Sequence, residues 1–216
     1  MKAFALISGG KDSFLSTLTA MEQGFDIDTG ITVIPENDSM MYHVPNAKWA
    51  GLTCGLLGIR WVSTDEVSFN TIIEQMAGEG YRALVAGAIA SNYQKSRLEG
   101  LCTELGLCLY TPLWLLNQEA VLQELIIRGI CAEIIAVSAE GFNSNDLGRV
   151  IDSEYIDDLK KRSEKYHFNI AGEGGEYESF VTSFRRSEIK ITGKKALWKG
   201  SSGYIEIEKA ELTRQA

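Results

Sequence analysis

The sequence predicts an α/β fold: a doubly wound, mostly parallel sheet followed by a small C-terminal α+β appendage. Three observations carry that expectation. Short apolar runs recur at residues 3–7, 31–34, 59–62, 83–89, 107–110 and 131–137. Segments with helical spacing separate them, the alternation expected of a parallel sheet covered on both faces. The last third switches to period-two alternation at residues 188–192 and 204–208, the pattern of half-exposed antiparallel strands.

Each element has its own reason. Residues 3–7 form a buried apolar run, and Phe14, Leu15, Leu18 and Met21 then fall on one face of a helix that Gly24 stops. The run 31–34 ends at Pro35. Pro45-Asn46 opens the next helix, with Asn46 at the N-cap and Gly58 at the C-terminal stop. Residues 59–62 read as strand and 69–76 as helix; the run 83–89 is interrupted by Gly87, and a helix over 93–105 ends at Gly106. Strand 107–110, helix 119–128 and strand 131–137 complete the series. Residues 155–166 form a charged helix with a solvated face. The change of character near 141–152 sets the expected division, residues 1–145 against residues 146–216.

Composition excludes several classes. Of 216 residues, 45% are hydrophobic and 23% charged, which is a folded chain and not a disordered one. No apolar run approaches the roughly 18–20 residues of a membrane span. The first apolar run is short and meets Ser8-Gly9-Gly10 at once, so it reads as a strand and not a signal peptide. Cys54, Cys102, Cys108 and Cys131 make no CxxC pair, and His43 and His167 are too few to complete a structural zinc site with them. Small core thiols in a reducing cytoplasm are the expectation. With 21 Lys+Arg against 29 Asp+Glu the net charge is −8, which disfavours a stable nucleic-acid partner.

Ser8-Gly9-Gly10-Lys11-Asp12-Ser13 lies between the first strand and the first helix. Glycines let backbone approach a ligand closely, and N–H groups at a helix start make an anion site. Serine hydroxyls and Lys11 add donors and charge. The string is not a Walker A motif, because Asp12 stands where Ser or Thr is required. An incidental glycine turn capping a helix is the plainer alternative. The string resembles the SGGxDS signature of the ATP-pyrophosphatases. That resemblance implies a HUP-like, N-type ATP-pyrophosphatase domain that binds ATP through Ser8, Gly9, Gly10, Lys11, Asp12 and Ser13. It also implies cleavage between the α and β phosphates. Asp12 is a candidate Mg²⁺ ligand, since Mg²⁺ needs few carboxylates beside phosphates.

Four further segments narrow the family. They are Met41-Tyr42-His43-Val44-Pro45-Asn46, the stretch of residues 87–97, Thr111-Pro112-Leu113-Trp114, and Gly172-Glu173-Gly174-Gly175-Glu176-Tyr177-Glu178-Ser179-Phe180-Val181. Together with the first loop they resemble the diphthine–ammonia ligase family over nearly the whole chain. Ser179 departs from the family's usual Thr. The resemblance implies an AMP-forming amide ligase acting on translation elongation factor 2. The diphthine carboxylate would be amidated with ammonium through an acyl-adenylate, in the last step of diphthamide synthesis. The alternatives are another ATP-pyrophosphatase that amidates a different carboxylate or modifies tRNA by thiolation or lysidine formation, and a nucleotide-binding regulator without catalysis.

The expected site follows. Lys11, Asp12, Glu176 and Glu178 are the candidate catalytic residues. Gly87, at a strand end, is expected to let the nucleotide lie against backbone. His43, Asn46, Asn92, Tyr93, Gln94, Arg97, Glu173, Gly174, Gly175 and Tyr177 are candidate substrate contacts. Glu176 and Glu178 share a face of an extended segment. With Tyr177 and Phe180 they are expected to receive the substrate's trimethylammonium and the ammonium ion. The plainer alternatives are a solvated acidic loop, a surface ion pair at Arg97 and a solvated His43. Trp114 is read as core and His167 as surface. Strands near the C-terminus offer edges for a homodimer.

Overall fold

The computed structural model describes residues 1–34, 46–87 and 92–214, without the side chains of 92–94. The chain divides into two compact units, Met1–Trp114 and Leu115–Ala216.

The first unit runs β1 (Lys2–Leu6), α1 (Lys11–Glu22), β2 (Asp26–Val33), α2 (Ala50–Leu57), β3 (Arg60–Thr64), α3 (Phe69–Gly78), β4 (Ala83–Val85), α4 (Asn92–Glu104) and β5 (Cys108–Tyr110). The sheet order is β3-β2-β1-β4-β5, and every pairing is parallel. Alternation along β1 builds two cores. Ala3 and Ala5 join Ala20, Ala50 and Cys54 of α1 and α2 on one face. Phe4 joins Phe69, Ile73 and Met76 of α3 and Cys102 of α4 on the other. Small residues on the first face let α2 come close. A β-carbon on Gly30 of β2 would lie 2.6 Å from Cys54 Sγ. Fully burying a side chain such as Phe4 contributes roughly 1.5–3 kcal/mol.

The second unit runs α5 (Gln118–Ile127), β6 (Ile130–Val137), α6 (Ser153–Tyr166), β7 (Tyr177–Phe184), β8 (Ser187–Lys199) and β9 (Ser202–Arg214). Its four strands close into an antiparallel barrel in the order β6-β7-β8-β9. Closure comes from short ladders, Ala136 with Tyr204 and Val137 with Gly203 between β6 and β9. Thus part of the edge expected to serve a homodimer is used within the chain.

This corrects one expectation. The run 131–137 is not a sixth strand of the parallel sheet: β6 pairs antiparallel with β7. Its apolar residues, Ile134, Ile135 and Val137 among them, make it resemble the parallel strands in composition. The division of the chain therefore falls at Trp114/Leu115 and not near residue 146. Among the described residues no helix is long and apolar enough to cross a membrane.

Helix ends follow local chemistry. Asn117 caps α5 by accepting from Ala120 N at 3.1 Å, and Asp152 caps α6 by accepting from Tyr155 N at 2.8 Å. Gly58 ends α2 with φ 73°, as expected. Asn46 heads a single 3₁₀ turn (Ala47–Trp49) before α2, but its side chain makes no cap bond. Cys54 and Cys102 are buried as expected, whereas Cys108 is exposed because it stands at an outward position of the edge strand β5. His167 is exposed at the end of α6, as expected.

Candidate active site

The loop of residues 8–13 starts from a fixed point. Ile7 N donates to Ile31 O at 2.8 Å, and Thr32 Oγ1 donates to Ile7 O at 2.6 Å. Trp61 Nε1 holds Thr32 Oγ1 from β3 at 2.9 Å. The chain then turns through Gly9 at φ 90°, a conformation that favours glycine. Gly10 is the N-cap of α1 and brings no side chain to cover the helix start. The two serines knit the loop: Ser8 Oγ and Ser13 Oγ lie 3.1 Å apart, and Ser13 Oγ donates to Gly10 O at 3.0 Å. The result is a preset ring of backbone around a helix N-terminus, the arrangement that binds phosphate.

Topology puts this loop at the switch point of the sheet. β1 and β4 are neighbours, with β2 and β3 beyond one and β5 beyond the other. In open α/β sheets ligands bind in that crevice, at the carboxyl ends of the strands. Gly87 follows β4 and meets the loop. A β-carbon there would lie 2.7 Å from Ser13 N and 2.8 Å from the carbonyl carbon of Asp12. Gly87 thus seats the protein's own helix start, where the expectation had the nucleotide itself against the backbone.

Lys11 is 3% exposed, and its Nζ lies 2.7 Å from Asp12 Oδ2. Asp12 Oδ1 is buried with no hydrogen-bond partner among the described residues. An unsatisfied carboxylate oxygen beside a phosphate-type loop fits a Mg²⁺ that takes its other ligands from phosphate and water. Among the described residues no group of three His, Cys, Asp or Glu could hold a metal by itself.

The remaining candidates of the first unit are spread out. Asn46 is buried, and its carbonyl accepts from Trp49 N at 2.9 Å. His43 lies outside the described residues. Asn92, Tyr93 and Gln94 form the first turn of α4, and their side chains are likewise outside the description. Arg97 is exposed and lines a groove between α3 and α4 with Phe69, Asn70 and Glu104. Trp114 is half-buried with Lys95 Nζ 4.5 Å from its ring centre, so it is not a core residue as expected.

In the second unit the glycine-rich segment leads into β7. Glu176 is turned back onto its own loop. Its Oε1 accepts from Asn169 N at 2.8 Å and its Oε2 from Gly174 N at 2.7 Å. A β-carbon on Gly174 would lie 2.7 Å from Glu176 Oε1, so a side chain there would push this carboxylate from its place. Gly175 N in turn donates to Gly172 O at 3.2 Å. The expected role of Tyr177 and Phe180 as receivers of a cation does not fit. Both are buried, and Tyr177 packs on Phe142 with its hydroxyl donating to Ile170 O at 2.8 Å. The two rings lie three apart in β7 and both are buried, while Glu178 between them is exposed. Glu178 is exposed by accessible surface, yet the surrounding protein mass desolvates its carboxyl and raises its pKa. Solvent reaches this group but hydrates it poorly. Glu173 is half-buried in the same loop.

Ser138 was not among the expected site residues, yet it touches this loop from the end of β6. Its N–H donates to Glu176 O at 2.9 Å, and its hydroxyl donates to Gly175 O.

Comparison with known proteins agrees with this division. Residues 1–109 match the model of the diphthamide synthase N-terminal domain, and residues 117–213 that of the diphthamide synthase C-terminal domain. A relative from Schizosaccharomyces pombe named diphthine–ammonia ligase is 30% identical over 95% of this chain, which spans 38% of that relative. The mouse protein of the same name is 27% identical, with 99% of this chain and 91% of the relative covered. The human one is 32% identical, with 84% and 78% covered. Two family models that between them take in both compact units decide the assignment: the chain belongs to the diphthamide synthase family.

Proposed function

We propose that the chain catalyses ATP-dependent amidation of the diphthine carboxylate on translation elongation factor 2, consuming ammonium and releasing AMP and pyrophosphate. The observation that carries the reading is the loop of residues 8–13, an uncapped helix start seated on Gly87 at the switch point of the sheet. Family membership and the names of the relatives supply the substrate. The free cysteines and the absence of a long apolar helix among the described residues suit a cytoplasmic enzyme.

The chemistry is consistent with these parts. A carboxylate is a poor acyl donor and must be activated. Its attack on the α phosphate gives an acyl-adenylate and expels pyrophosphate. Backbone N–H groups of the loop are fixed in advance where charge builds on that leaving group. Asp12 would hold Mg²⁺, which supplies positive charge to the phosphates. Lys11, tied to Asp12, keeps that carboxylate oriented. Glu178 is the acid best placed to meet a cation, because it points outward. Once ionised it attracts ammonium and takes its proton, so that ammonia displaces AMP. No covalent enzyme intermediate is needed.

The test supplies the purified chain with ATP, ammonium and diphthine-bearing elongation factor. AMP release that depends on both co-substrates, with conversion of the carboxylate to a carboxamide by mass spectrometry, is expected. Nucleotide binding without AMP formation would reject the reading.

A further inference from the structure

We infer that Ser138 and the Glu176 carboxylate are positioning residues, which fix the entry of β7 so that Glu178 faces the cationic reactant. The inference deepens the proposed amidation and rests on it.

The β6–β7 ladder carries a fault. β6 and β7 pair Ile134 with Ser179 and then Ala136 with Glu178, so Ile135 is an extra residue directly beside Glu178. Such a bulge twists the strand and re-aims the neighbouring side chain. Losing the resulting register by one residue would turn Glu178 to the opposite face. Only the pair Val137 with Tyr177 follows before the strands end. Pins beyond the bulge must therefore hold the register.

Ser138 and Glu176 are those pins. Ser138 N extends the ladder by one bond to Glu176 O, and the Ser138 hydroxyl takes Gly175 O. The Glu176 carboxylate then ties Asn169 N and Gly174 N, one from each side of the loop. Gln118 Oε1 adds a third tie by accepting from Ile170 N at 3.0 Å. A Glu176 that left its loop to act on ammonium would strand two backbone N–H groups, a loss that hydrogen bonding opposes. The division of labour is thus one acid facing the reactant and one acid holding it there.

The experiment measures AMP release by Ser138→Ala, Ser138→Thr, Glu176→Gln and Glu178→Gln in the full chain, varying ammonium, ATP and pH. Expected for Ser138→Ala and Glu176→Gln is an ammonium KM raised roughly three- to tenfold, the worth of a lost hydrogen bond, with the ATP KM unchanged. Ser138→Thr restores the wild-type value, and only Glu178→Gln removes the acid limb of the pH profile. An unchanged ammonium KM in Ser138→Ala overturns the inference. So does an acid limb that vanishes in Glu176→Gln and survives in Glu178→Gln. Should Glu176→Gln not fold, the Ser138 pair decides alone. A wild-type chain that releases no AMP with the elongation factor and ammonium defeats the amidation itself, a result distinct from wild-type activity with an unaffected Ser138→Ala.

Discussion

Gly87 stands against Ser13 so closely that a β-carbon would lie 2.7 Å from the Ser13 amide nitrogen. The neighbour is backbone, not the end of a flexible side chain, so it cannot yield cheaply. Gly87→Ala is therefore expected to displace the start of α1, destabilise the chain by about 1–3 kcal/mol and weaken ATP binding about tenfold or more. Urea unfolding and calorimetric titration with ATP measure the two effects.

Asp12 joins two tasks, pairing with the buried Lys11 and offering Oδ1. Asp12→Asn keeps the shape and removes the charge. AMP formation should fall about a hundredfold or more and need higher Mg²⁺ for half-saturation. Nucleotide binding without Mg²⁺ should change far less. A Mg²⁺ titration of initial rates compares the two proteins.

Desolvation raises the pKa of Glu178 above its ordinary 4.5. A raised carboxyl binds protons more readily in the folded chain, so its ionisation opposes folding as pH rises through the folded pKa. Glu178→Gln should therefore leave thermal stability at pH 7 equal or higher, and any gain should vanish below the unfolded carboxylate pKa. The same substitution should flatten the acid limb of kcat/KM for ammonium. Melting curves and rates across pH 4–8 test both halves of the statement.

Asp28 behaves oppositely. Partial burial raises its pKa, but hydrogen bonds from Thr29 and Tyr81 and the charges of Lys2 and Arg60 outweigh that and lower it overall. A lowered carboxyl contributes stability that is present above its unfolded pKa and lost as pH falls through the folded one. Tyr81→Phe removes one of these donors. The variant should be less stable than wild type at neutral pH, with the part of the deficit that depends on Asp28 ionisation disappearing as pH falls through the folded Asp28 pKa. Urea midpoints at several pH values decide it.

Asp146 is 5% exposed and accepts from Asn143 N at 2.7 Å, from the Tyr155 hydroxyl at 2.9 Å and from Arg162 Nη1 at 3.1 Å. Arg162 Nη2 also lies 3.0 Å from Oδ1, a close charge contact without hydrogen-bond alignment. Asp146→Ala should cost about 3 kcal/mol, the low end for breaking a buried pair, because Asp158 still faces Arg162 at 2.8 Å. Asp146→Asn, which keeps two acceptor geometries, should cost less. Equilibrium unfolding measures both.

The loop of residues 8–13 was legible in the sequence because its chemistry is local: glycines, serines and a helix start within six positions. The five parallel strands were legible for a similar reason, since burial on both faces leaves a continuous apolar run. The run 131–137 misled by that same token. Its composition records burial, while the sheet it joins depends on β7, some forty residues later. The acidic segment was legible as a site but not in its roles. Which of Glu176 and Glu178 faces outward to act depends on two backbone N–H groups, and residue types do not disclose those. Tyr177 and Phe180 were misjudged because burial of a ring depends on what packs against each face of β7, which residue types do not disclose.

The placement of β6 also determines where this chain tolerates interruption. A break after Trp114 leaves five strands on one side and four on the other, with every ladder whole. A break near residue 146 would part β6 from the three strands with which it closes. The short stretch from Leu115 to Asn117 is exposed, and the two family models stop short of it on one side and resume at its end on the other. It is a natural seam for recombination: halves exchanged between relatives at this point would each arrive with a complete hydrogen-bonded framework.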